Sequence, residues 1–234
     1  MQRLLRTTTT TLPNSLPTPK PGINGIQARV NRIIDEFMSS LPAAEGLTAD
    51  QRRGIIARYT AVLEGNFIYW MTGAYLATKS EQAHSIIVDN LQEEVRDCHP
   101  GMMRRFAVAA NAFPTDADAL GISRELMNVR LFIGRLRPVR IVLMMAFFEG
   151  LIQRFMAYLA DLAARQGSSE MEYTDVHGVC DVAHTAGLFR ALEAEMALEA
   201  PESEAAMFEG VELLRTLLHQ IVFFDASHTA SVAQ

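Results

Sequence analysis

His177, Asp181 and His184 stand at i, i+4 and i+7 in the run His177-Gly-Val-Cys-Asp-Val-Ala-His184. At 3.6 residues per turn these offsets return to nearly the same helix face. Two imidazoles and a carboxylate then project into one small volume. That donor set, with open positions, suits a redox-active non-haem iron. Further acids and imidazoles interrupt apolar stretches upstream, where a charge is costly without a partner. Glu64 lies in Ala61-Val-Leu-Glu-Gly-Asn-Phe-Ile-Tyr-Trp70, and Glu149 follows Met144-Met-Ala-Phe-Phe148. His99 ends a segment containing Glu93 and Glu94. Glu64, His99, Glu149, His177, Asp181 and His184 make six N or O donors on four predicted helices. Six such donors suit two iron ions with positions left for dioxygen and substrate. Cys180 falls on a different helix face from the triplet, and a cysteine-based zinc or iron–sulfur site does not fit.

Each residue also has a plainer reading. The triplet fits a solvated helix face, Glu149 a buried ion pair with an arginine, and Glu64 an exposed acid before a kink at Gly65. His99 fits a helix C-terminal cap. His219 reads as a satisfied core histidine. Arg130, Arg135, Arg137 and Arg140 cluster before the Glu149 helix. Most suit ordinary surface charge, but Arg140 or Arg130 could clamp a substrate carboxylate, and Arg58 is a further candidate. Phe67, Met71, Met145 and Phe148, with Trp70, are spaced to line a pocket beside the acids.

The elements that must position these groups read as helices throughout. Of 234 residues 49% are hydrophobic, and no alternating Val/Ile/Thr run marks a strand. Periodicity and caps predict helices over about 23–41, 48–78, 80–99, 123–135, 138–164, 174–200 and 202–224. Thr48 with Gln51 forms a capping box, and Ser80 and Thr174 read as further caps. Residues 102–112 form a short segment before the Phe113-Pro-Thr-Asp116 break. The expected fold is all-α, a single up-and-down bundle of seven helices over residues 23–225. Residues 1–22 read as a disordered or loosely docked arm. They carry Thr7 to Thr11 and Pro13, Pro17, Pro19 and Pro21, which oppose a transit-peptide helix. Residues 226–234 read as a flexible tail.

A net charge of −6 argues against nucleic acid as the main partner. The apolar run Ile141–Phe148 is short for a membrane span. Two cysteines, Cys98 and Cys180, make no disulfide framework and fit a reducing, cytoplasmic setting.

The chain resembles the haem-oxygenase-like diiron oxidase family, whose members bind two non-haem irons in a seven-helix bundle. The matching features are Glu64, Asn90-Leu-Gln-Glu-Glu94 with His99-Pro100, Glu149 after its apolar run, and His177-x-x-x-Asp181-x-x-His184. The resemblance covers about residues 50–190. It implies iron ligation by Glu64, His99, Glu149, His177, Asp181 and His184, with Glu94 or Glu93 as an added carboxylate. It implies O2 as co-substrate, an external electron donor and a homodimer. The implied activity is oxygenation through a peroxo-diiron(III) species. N-oxygenation of a small amine or amino acid in a natural-product pathway is the leading expectation. The alternative is oxidative desaturation or carbon–carbon cleavage of an amino acid or fatty acid, giving an alkene or nitrile.

Overall fold

The computed structural model describes residues 22–199 and 202–224. The arm before Gly22 and the tail from residue 226 lie outside them. The described residues form ten α-helices: α1 (Ile23–Ser40), α2 (Ala49–Ala77), α3 (Glu81–Arg96), α4 (His99–Ala109), α5 (Asp116–Gly121), α6 (Ser123–Ile133), α7 (Pro138–Arg165), α8 (Glu172–Leu198), α9 (Glu204–Met207) and α10 (Glu209–Phe223). A 3-10 turn, Ala44–Gly46, joins α1 to α2.

The seven expected helices are all present, and three short elements account for the difference. The segment expected near 102–112 is α4, which starts earlier, at His99, with Pro100 in its first turn. Proline suits that position because the first amides of a helix have no intrahelical acceptor. Asp116 to Gly121 forms one extra turn of helix behind a Thr115/Asp118 capping box. The last predicted helix is split at Phe208 into α9 and α10. Thr174 is not the cap of α8, which begins at Glu172; its hydroxyl donates to the Met171 carbonyl from inside the first turn.

Two helices form the centre. α7 buries Ile141 to Ile152 without a break, and α2 is buried on most sides from Gly54 to Ala77. α1 presents one stripe to this pair, Ile26, Val30, Ile33, Ile34 and Phe37. α8 packs along α7, α3 lies against α8, and α10 packs on α7 and α6. α7 is long and apolar enough to cross a membrane, but 72% of that window is buried within the bundle. Trp70 of α2 meets Phe148 of α7 edge-on at 5.4 Å. Truncating such an aromatic costs about 3–5 kcal/mol, so this contact anchors the wall beside Glu149.

One local device sets the site. α3 stops at Asp97, and Cys98 takes a left-handed conformation, φ 55°. A single left-handed residue reverses the chain after a helix. The reversal returns His99 toward Glu94 of the preceding helix.

Candidate metal centre

α8 delivers His177, Asp181 and His184 to one buried face, as the i, i+4, i+7 spacing requires. α7 contributes Glu149 from the opposite wall, and the α3–α4 corner contributes Glu94 and His99. All six side chains are buried. Two groups result. In the first, His99 Nδ1 lies 2.7 Å from Glu94 Oε1, and His177 Nε2 lies 3.9 Å from the same oxygen. In the second, His184 Nδ1 is 3.8 Å from both Glu149 Oε2 and Asp181 Oδ1.

Hydrogen bonds behind the imidazoles aim their free nitrogens. His177 Nδ1 donates to the Tyr173 carbonyl at 2.8 Å, so Nε2 turns to the first group with its lone pair exposed. His184 Nε2 meets Glu93 Oε2 at 3.0 Å, so Nδ1 faces the second group. Carboxylates and carbonyls placed behind imidazoles in this way fix the tautomer of metal-ligating histidines. Glu93 and Glu94, left open by the sequence, thus take different places. Glu94 sits among the donors, while the half-exposed Glu93 stands behind His184.

The charges are unbalanced. Glu94, Glu149 and Asp181 bring three carboxyl groups into a buried volume. Burial, and then the charge of Glu149, pushes Asp181 up to about 9. Burial also raises Glu149, with Glu94 adding to the effect against the pull of His184. Burial works against a charged His184, but Glu149, Glu93 and Asp181 outweigh it and raise that imidazole to about 9. His99 is likewise raised, its bond to Glu94 overcoming burial. His177 is lowered by burial. Protons therefore do in this cluster what cations would do.

The donor set fits a metal better than it fits protons. Glu149 Oε1, Asp181 Oδ2 and His184 Nδ1 are buried with no hydrogen-bond partner. Each such orphan costs about 1–3 kcal/mol, and a hard divalent cation accepts all three. No arginine among the described residues pairs with Glu149, which removes the ion-pair reading.

A cavity opens onto the donors, with about 380 Å³ of open space, its mouth included. Glu94, His99, Glu149, His177 and Asp181 line it together with an apolar wall. Phe67 and Phe148 belong to that wall. Leu63, Ile68, Met103, Ile152 and Tyr173, which the sequence reading passed over, do too. Their signal was present: Leu63, Met103, Ile152 and Tyr173 each stand one helical turn from Phe67, His99, Phe148 and His177, respectively.

Other expected residues lie elsewhere. Glu64 is not brought to the donors. Its carboxylate is held by Arg104, with Nε at 2.7 Å, and is 24% exposed, one turn from Ile68 on the rim. α2 continues through Gly65 without a break. Arg58 is buried against α10, where Nε donates to the Ile221 carbonyl at 2.9 Å. Arg130 donates to Asn66 Oδ1 at 2.9 Å and lies over Tyr69. Arg140 pairs with Glu202 and Glu209. None of these arginines lines the cavity, and each is already held by a partner elsewhere. Met71 and Met145 are fully buried in the core but do not line it. His219 is exposed and stacks on Phe223 rather than sitting in the core.

The family model for iron-containing redox enzymes matches residues 56–218, from the first turns of α2 into α10. The chain belongs to this family. Its fold is the haem-oxygenase-like all-α bundle, and its class is oxidoreductase. The match includes every donor described above. No curated protein matches the chain. For an iron-containing redox enzyme, the Glu94/His99/His177 group, and Asp181 and His184 with Glu149 3.8 Å from His184, offer donors of the kind that membership calls for.

Proposed function

We propose that the protein is a non-haem diiron oxygenase that uses O2 to N-oxygenate a small amine. The observation that carries this reading is the pair of adjoining N/O donor groups, with orphaned donor atoms, on one small cavity. Glu94, His99 and His177 would hold one iron, and Glu149, Asp181 and His184 the other. Such ions, when bound, supply reducing equivalents to dioxygen and an oxidising site beside the substrate.

The chain's own residues do the rest. The Tyr173 carbonyl and Glu93 hold two imidazoles in orientation. Phe67, Phe148 and Ile152 keep the cavity dry, which strengthens every charge interaction inside it. The little enclosed space beside the donors suits only a small substrate. No arginine among the described residues lines it, which disfavours a substrate anchored by its carboxylate. With Glu64 held by Arg104, the buried carboxylate Glu94 brings the donors back to six. An external donor returns the electrons.

The apolar wall favours one second reading: oxidative desaturation or carbon–carbon cleavage of an amino acid or fatty acid. Stopped-flow absorbance separates the two. Anaerobic ferrous protein is mixed with O2 against a panel of amines, amino acids and fatty acids. A transient visible band whose decay is accelerated by an amine, with an N-oxygenated product by mass spectrometry, supports the proposal. Acceleration by acids alone, with alkene products, supports the second reading. A ferrous protein inert to O2 with every compound sinks both.

A further inference from the structure

We propose that Cys180 is a thiolate ligand of the metal bound at Asp181 and His184, so that the two metal positions are chemically unlike. The inference rests on the metal-centre reading above and adds a soft donor to it.

Cys180 stands next to Asp181 on α8: its Sγ–H donates to Asp181 Oδ1 at 3.3 Å, and its sulfur lies within 4.8 Å of the donor atoms of Asp181 and His184. Metal–sulfur bonds are about 2.3 Å and metal–oxygen bonds about 2.0–2.2 Å. A sulfur and an oxygen 3.3 Å apart can therefore bind one ion. The independent sign of a ligand is beside them. Asp181 Oδ2 and His184 Nδ1, on side chains well over nine-tenths buried, have no partner. The thiol proton occupies the place on Oδ1 that a cation would take.

Binding exchanges that proton for a metal–sulfur bond. The proton leaves to solvent, and no electron moves. The other position has no such donor: Glu94, His99 and His177 offer only oxygen and nitrogen. One metal is then held by N/O donors alone, and the other by N, O and S. Thiolate coordination favours softer ions and stabilises higher charge on the metal.

Anaerobic titration of the full chain with Co(II) tests this. Cobalt bound to nitrogen and oxygen gives visible ligand-field bands, and a thiolate adds an intense near-ultraviolet sulfur-to-cobalt band. The expected result is both in the wild type, with Cys180→Ser losing the near-ultraviolet band and keeping ligand-field bands. Cys98→Ser should keep both. Circular dichroism checks that each variant is folded, and the wild-type and Cys98→Ser spectra together decide the matter even if Cys180→Ser is not; loss of the near-ultraviolet band in folded Cys98→Ser would overturn the assignment to Cys180. Ligand-field bands without the near-ultraviolet band in the wild type would overturn the thiolate proposal and leave the metal centre intact. No cobalt binding at all would overturn both.

Discussion

Glu93 Oε2 lies 3.0 Å from His184 Nε2, which leaves the opposite nitrogen, Nδ1, facing Glu149 and Asp181 with no hydrogen-bond partner. A carboxylate behind an imidazole makes it a more basic and better-aimed ligand. Removing such a partner typically weakens metal binding by about 10–100-fold. Glu93→Ala should lose metal affinity by that order at the His184 position and keep its helical content, because Glu93 is 39% exposed. Glu93→Gln, which keeps a hydrogen bond, should lose less. Equal affinity of wild type and Glu93→Ala in an anaerobic metal titration would contradict this role.

Glu94 holds the other group together, contacting His99 at 2.7 Å and facing His177 at 3.9 Å. Glu94→Ala should lower the metal bound per folded chain towards one. Elemental analysis of the desalted, folded variant measures it. Unchanged stoichiometry would remove Glu94 from the ligand set.

The metal-free protein should lose stability as pH rises from 6.5 to 9. Asp181 titrates near 9 in the fold against 3.8 for a free side chain, and His184 near 9 against 6.5. Both bind more protons folded than unfolded across that window, so stability falls as pH rises through it. The raised Glu149 acts in the same direction. The lowered His177 acts with opposite sign, but at more acid pH, below 6.5. A bound metal displaces these protons, so its affinity should climb over the same window. At one hundred times its Kd a ligand adds about 2.7 kcal/mol, which for a chain of this size is about 5–11 °C in Tm. Thermal melts with and without Mn(II) should therefore show a gap that widens with pH. A constant gap would contradict the proton–metal competition.

Far from the site, Asp118 ties α5 to α2. It accepts from Arg53 at 2.7 and 3.3 Å and from the Thr115 amide and hydroxyl. Burial opposes its charge, but these bonds outweigh burial and hold its carboxyl below 3.8. Asp118→Ala should cost about 1–2 kcal/mol, the usual value of a lost cap. Its stabilisation is complete above pH 3.8 and is lost as pH falls through the lower folded value. The wild-type and variant Tm values should converge in strong acid. A difference that persists there would assign the loss to packing.

Local signals carried much of this protein. The Thr48/Gln51 box and the stripe from Ile26 to Phe37 mark their helices without tertiary help. The spacing of His177, Asp181 and His184 fixes a common face on any regular helix. What depended on packing was harder to read. Glu93 and Glu94 are neighbours in sequence, and only the position of α3 against α8 sends one inward and the other behind His184. The left-handed Cys98 gave no warning, since glycine or asparagine is the usual residue there. Arg58, Arg130 and Arg140 looked available because their partners, Ile221, Asn66, Glu202 and Glu209, are distant in sequence. Glu64 has the right neighbours in sequence, but Arg104 of α4 takes its carboxylate.

The central claim is that the α3–α4, α7 and α8 donors form one site for two iron ions. Mössbauer spectroscopy of protein loaded anaerobically with isotopically enriched Fe(II), before and after O2, tests it most directly. The account predicts two irons per chain and, after O2, a coupled high-spin ferric pair. One isolated iron per chain, or none bound, would contradict it.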